Sequence, residues 1–358
     1  MVKYEVNNLR RVISMEKKYI DYIIEKLREL LAIDSPTGFT DKAAQYVQNE
    51  YTALGFNAVL THKGGVIVDL GGDDSDKGLL IETHMDTLGA IVAEIKGNGR
   101  LRVSPLGGLS ANNTEAENVK IYTRSGKVYE GTFQLVNASL HVNGAYSSTV
   151  RTFDTTEVVI DENVVSADDV KKLGINVGDI VCFDPRTRVT HDGYIKSRFL
   201  DDKLSVAIVM GLANYVATEG IRLGRRVYVH VTSYEEVGHG GSASVPTGVT
   251  EALSVDMGCV GAGLNCSERQ VSICVKDSGG PYDYAMTTRL IEAAKKMSAD
   301  YALDVYPSYG SDVEATLRAG YDVRHALIGA GVYASHGYER SHIDGVENVL
   351  KTLVGFVC

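Results

Sequence analysis

Apolar positions along the chain follow two periods. Over 16–32, Ile20, Ile23, Ile24, Leu27, Leu30 and Leu31 recur at helical spacing with charges between them, which predicts an amphipathic helix. It should stop before Asp34-Ser35-Pro36-Thr37-Gly38, a turn and cap cluster. A second helix carries Ala44, Val47, Tyr51 and Leu54 on one face. Short apolar runs at 56–61, 65–70 and 78–83, each bounded by Gly, Asp or Lys, read as strands. From about 90 to 190 the pattern changes to short alternating runs rich in Val, Thr, Gly and Tyr: 90–95, 101–105, 119–123, 128–135, 157–160 and 180–183. Only Asp168–Lys172 suggests a turn of helix there, so this stretch reads as a small β-barrel or sandwich. Beyond 195 the alternation of helix and strand returns. A mostly apolar, hence buried, helix is expected at 202–217, and strands at 226–233, 252–257, 271–276 and 302–306. Further helices are expected at 284–297, 312–319 and 345–356. The simplest organisation is one α/β domain, 1–89 with 191–358, interrupted by an all-β insert at 90–190.

Composition narrows the function. The 358 residues carry 46 Asp+Glu against 36 Lys+Arg, a net charge of −10, which argues against a nucleic-acid partner needing a basic face. No apolar run approaches the roughly 18 residues of a membrane span. The first twenty residues hold no apolar segment of a secretory signal. Five cysteines, an odd number without a CxxC pair, argue against a disulfide framework or a thiolate zinc site and for a reducing, cytoplasmic setting.

Ligands of open α/β sheets bind beyond the carboxyl ends of the strands. The polar residues expected there are His84 and Asp86, then Asp201 and Asp202 before the buried helix, then Glu235-Glu236, Asp256, and the segment 335–342 with His336 and His342. Each has a plain structural alternative: His84 could be a hydrogen-bonded structural histidine, Asp201 a helix cap, Glu235-Glu236 a solvated pair. Together, two imidazoles and three carboxylates without thiolates suit zinc, cobalt or manganese. The set is large enough for two ions, each with three protein ligands if one carboxylate bridges, leaving room for a shared water. Adjacent residues of Glu235-Glu236 point in different directions, so one can ligate while the other acts as general base. If His84 and Asp86 share a strand face, Asp86 can accept the second imidazole N–H.

The segments THMDTLGA (83–90), GYIKSRFLDDK (193–203), SYEEVGHGG (233–241), SVDMG (254–258), YGSD (309–312) and SHGYERSH (335–342) together resemble the tetrahedral (TET) aminopeptidases, dinuclear metallopeptidases that include glutamyl and deblocking enzymes, with the deblocking branch nearest. The resemblance implies a three-layer α/β/α catalytic domain with a mixed central sheet and a barrel-like insert that makes dimer contacts, the dimers often building hollow dodecamers. It implies two divalent ions per subunit, zinc first, with cobalt or manganese as alternatives. His84 and Asp256 would be terminal ligands of one ion, Glu236 and His342 of the other, and Asp201 the bridge. Glu235 would be the base that activates a metal-bridging hydroxide, and Asp86 the orienter of His84. The implied activity is removal of N-terminal residues from peptides. His336 competes with His342, and the motif's register favours His342. His239 is expected to be no ligand, Asp202 to cap the helix or meet solvent, and Asp312 to cap a helix or contact the substrate amine. Rival readings are a glucanase-like glycoside hydrolase using a carboxylate pair, and a co-catalytic deacylase or carboxypeptidase.

Overall fold

Four parallel strands make the middle of the molecule: Arg225–Thr232, Asp74–His84, Val249–Val255 and Arg324–Tyr333, side by side in that order. The computed structural model describes the backbone of residues 2–358 and the side chains of residues 17–358. Val66–Gly71 adds antiparallel to Arg225–Thr232, with Asn57–Leu60 outside it. On the other flank Val271–Lys276 runs antiparallel to Arg324–Tyr333 and carries Tyr301–Val305. The sheet is therefore mixed, with a parallel centre.

Both faces of that centre are buried, which is why its strands read as nearly continuous apolar runs. Side chains alternate across the sheet. Leu80, Ala252 and Leu327 pack on one face with Val313 of the helix Asp312–Arg318. Leu79, Ile81, Leu253 and Ile328 belong to the larger core on the other face, with Ile208 and Leu212 of the helix Leu200–Glu219. Gly211 lets that helix approach the long helix Val2–Leu31, since a Cβ there would lie 2.4 Å from Ile23 Cγ1. The three-layer α/β/α architecture expected from the sequence is thus present.

The chain leaves this sheet after His84 and enters a closed barrel of six antiparallel strands between Gly89 and Phe183. Val92, Val103, Val119, Ile121, Phe133, Val158 and Val181 are buried there. The barrel domain is tied to the segment that precedes the helix Leu200–Glu219. Arg198, buried just before the helix Leu200–Glu219, donates to Glu117 at 2.7 Å and to the carbonyl of Asn113. No helix among the described residues is long and apolar enough to cross a membrane.

One central strand, Arg324–Tyr333, escaped the sequence reading. Its Ala326, Gly329, Ala330 and Gly331 dilute the β signal. The glycines are needed for close approach. A Cβ on Gly329 would lie 1.6 Å from the carbonyl oxygen of Asp256, and one on Gly331 would lie 2.1 Å from that of Ser267.

Candidate metal centre and active site

Each of the four parallel strands delivers acid or imidazole groups at its carboxyl end, where ligands of such sheets bind. Asp74–His84 ends on His84 itself. Arg225–Thr232 leads through Ser233 and Tyr234 into the single turn Glu235–Val237. Val249–Val255 is followed by Asp256, and Arg324–Tyr333 by Ser335-His336. Asp201 comes from the irregular start of the helix Leu200–Glu219, where its φ −77 and ψ 100 are not helical. The backbone is strained beside these groups: Phe199, Tyr234 and His336 all adopt positive φ, at 67, 70 and 59°.

Asp201 sits between two imidazoles. Its Oδ1 lies 3.1 Å from His84 Nε2, and its Oδ2 lies 3.3 Å from His336 Nε2. Glu236 Oε2 lies 3.5 Å from His336 Nε2, on the second side. His84, Asp202 and Asp256 offer ligand atoms within 4.8 Å of one another on the first, as do His84, Asp201 and Glu236 across the middle. Asp202 is buried and does not line the cavity: its Oδ2 accepts from Thr83 Oγ1 at 2.5 Å and from the His84 N–H at 3.3 Å, while its Oδ1 has no hydrogen-bond partner. Asp256 is the ligand-type carboxylate that lines the cavity on this side.

The acids are crowded and short of countercharge. Burial, reinforced by neighbouring carboxylates, pushes Glu235 and Glu236 well above the usual carboxylate range and Asp256 up to about 7. Burial opposes the charged form of His84, but Glu235 and Asp201 outweigh it and hold that imidazole well above its ordinary value. The Asp201 hydrogen bond raises His336 to about 9. Glu236 Oε1 is buried with no hydrogen-bond partner. Such a cluster of oxygen and nitrogen donors, with an orphaned carboxylate oxygen, fits divalent cations.

Two expectations are corrected. His342 does not join the cluster. It caps the helix Ile343–Val357, its Nδ1 accepting from the Asp344 N–H at 3.0 Å and its Nε2 donating to the Asp192 carbonyl at 2.7 Å. Both ring nitrogens are thereby used. His336 takes the place expected of it. The Asp86 carboxylate does not hold His84, because the strand ends at His84 and the alternation of faces stops there. The main-chain carbonyl of Asp86 bonds His84 Nδ1 at 2.9 Å instead, while its carboxylate oxygen stands 3.7 Å off. That carboxylate accepts from the main-chain N–H of Glu235 at 3.1 Å and of Glu236 at 3.4 Å, and from Thr37 Oγ1 at 2.6 Å. Asp86 thus fixes the turn that presents the two glutamates.

His239 is exposed and stacks on Tyr234, ring centroids 5.1 Å apart. Asp312 is no helix cap, since Ser311 holds that position; its Oδ2 accepts from Thr232 Oγ1 at 2.6 Å. A cavity of about 470 Å³ opens over the cluster, walled by Met257, Cys259, Tyr309 and Ala315.

An imidazole and carboxylate cluster at the carboxyl ends of a parallel sheet is the arrangement of a metal-using enzyme. The profile described as M42 glutamyl aminopeptidase matches residues 64–352. YhfE of Bacillus subtilis (strain 168), provisionally named an aminopeptidase, is 42% identical over 334 residues, 93% of this chain and 96% of that protein. The chain belongs to the M42 glutamyl aminopeptidase family and is a peptide hydrolase of the aminopeptidase type. Its fold matches that of a TET aminopeptidase from a marine-sediment Thaumarchaeota archaeon, with TM-score 0.85 and 18% identity over 94% of this chain and 96% of that one. It also matches the Pyrococcus horikoshii TET1 peptidase, which can assemble into a tetrahedron or a large octahedral shell, with TM-score 0.82 and 20% identity over 94% and 99%.

Proposed function

We propose that the protein is a dinuclear aminopeptidase in which Asp201 would be the ligand shared by two divalent cations and Glu235 is the general base. The carrying observation is the Asp201 carboxylate, whose two oxygens each face a different imidazole at 3.1 and 3.3 Å. His84 and Asp256 would complete one ion's protein ligands, and His336 and Glu236 the other's. Zinc suits this nitrogen and oxygen set best, with cobalt or manganese as substitutes. Bound in pairs, such cations polarise a carbonyl and make water acidic.

The chain's own groups divide the remaining work. Glu235 Oε2 lies 3.6 Å from His84 Nε2, beside the ligands rather than among them. It takes a proton from the attacking water and returns it to the leaving amine. Asp86 holds the main chain beneath it. The cavity's acid groups, Asp312 among them, favour a substrate with a free, positively charged α-amine, which is exopeptidase selectivity. In cells we place it in the cytoplasm, where its free cysteines stay reduced. Self-association, by dimers through the barrel and on to a dodecamer, is the assembly proposed by likeness to the TET peptidases.

The test compares a free aminoacyl chromogenic substrate with its N-acetylated form, before and after chelation. Cleavage of the free form alone, lost on chelation and restored by zinc or cobalt, is expected. Preference for the acetylated form would favour a deacylase, and chelator-resistant cleavage of a glycoside would favour a glycosidase.

A further inference from the structure

Glu339 opens the short strand Glu339–His342 and is 2% exposed. Nothing in the chemistry above requires it, yet it touches both sides of the site. Its Oε2 accepts from the main-chain N–H of Asp201 at 3.1 Å, and its Oε1 accepts from the main-chain N–H of His336 at 3.0 Å. Neither N–H has a regular partner. Asp201 lies in the first turn of a helix, where amides have no acceptor within the helix. His336 lies in a turn at positive φ. A carboxylate is the side chain that can accept at both ends and donate at neither.

The rest of the His336 turn is held from the inserted domain. Asn113 Nδ2 donates to the His336 carbonyl at 3.3 Å, and the imidazole lies so close to Gly108 that a Cβ there would be 2.5 Å from Nδ1. Asp201 and His336 come from segments far apart in sequence, and the distance between their side chains, 3.3 Å from Oδ2 to Nε2, defines the second half of the site. Glu339 joins those two segments through one side chain.

We propose that Glu339 is a positioning residue: one carboxylate anchors the main chains of Asp201 and His336 and so sets the gap in which the second cation is held. This role rests on the two-ion reading given above. Glu339→Gln removes half of the anchor, because an amide accepts at one end and turns a donor toward the other N–H.

The experiment titrates metal-free wild type, E339Q and H336A with cobalt(II), following the visible absorption of the bound ion, alongside metal analysis of the isolated proteins. In E339Q the first equivalent should bind within about twofold of wild type. The second should bind at least about tenfold more weakly, as one lost charged hydrogen bond would produce. Saturating cobalt should restore most of kcat. H336A should lose the second equivalent altogether. If E339Q binds both equivalents as wild type does, the role is refuted. It is also refuted if both equivalents weaken in parallel with a fall in the apoprotein's Tm, which is the mark of a general packing role. Should E339Q fail to fold, E339D, too short to reach both amides, gives the same reading. A wild type that takes up one ion only overturns the two-ion reading itself, whatever E339Q does.

Discussion

Replacing Glu235 by glutamine isolates the proposed base from the metal site. The turn that carries it is held by main-chain bonds to Asp86, at 3.1 Å from Glu235 and 3.4 Å from Glu236, and neither bond involves the Glu235 side chain. The amide is close in size to the carboxylate it replaces. The ligand set His84, Asp201, Glu236, Asp256 and His336 is left intact. Losing a positioned general base costs about 10²–10⁴-fold in kcat, or about 3–5 kcal/mol of activation free energy. The assay is kcat on an aminoacyl chromogenic substrate at saturating zinc, with metal content measured on the same sample. The pH profile adds a second readout. A general base acts only when ionised, so the wild-type rate should climb with pH along an acid limb. That limb should be missing from the residual activity of E235Q. Loss of less than tenfold, or loss of metal together with activity, would refute the assignment.

Further substitutions separate the two histidines. His342→Ala should lower stability by about 1 kcal/mol through the lost helix cap and leave metal content unchanged, whereas His336→Ala should lose an ion while the apoprotein's Tm stays in place. Metal loss in H342A would reverse the assignment. Gly329→Ala should destabilise by at least about 1–3 kcal/mol, because its Cβ would lie 1.6 Å from the Asp256 carbonyl; chemical denaturation with metal analysis should find both stability and metal affinity reduced. The metal-free protein should lose stability as pH rises from about 5 to about 9. Burial lifts Asp256 to about 7 and Glu82 to about 8, and the Asp201 contact lifts His336 to about 9. In that window the folded chain therefore holds more protons than the unfolded chain. Denaturation of the chelated protein at both pH values checks this, and greater stability at the higher pH would contradict it. Zinc at about 100 times its Kd should restore about 2.7 kcal/mol.

The α/β frame, the all-β insert and the strand-end chemistry were legible in the sequence because each rests on periodicity. His84 and Glu235-Glu236 follow runs that read as strands and Asp256 lies near the end of another, and the same rule located them. His336 follows the strand Arg324–Tyr333, whose glycines and alanines hide the period. Without that strand, the family motif alone had to choose between two histidines six residues apart. Asp86 was misread for a related reason: the alternation of faces applies only while the strand lasts, and this one ends at His84. Glu339 lies within the segment 335–342, but a buried acid that meets two distant main-chain amides leaves no mark of that contact in local pattern.

A crystal of the zinc-loaded protein, with anomalous scattering recorded at the zinc edge, tests the central claim most directly. Two peaks about 3.5–4 Å apart are expected on either side of Asp201, one touching His84 and Asp256 and the other His336 and Glu236. A single peak, or a second peak bound by His342, would contradict it.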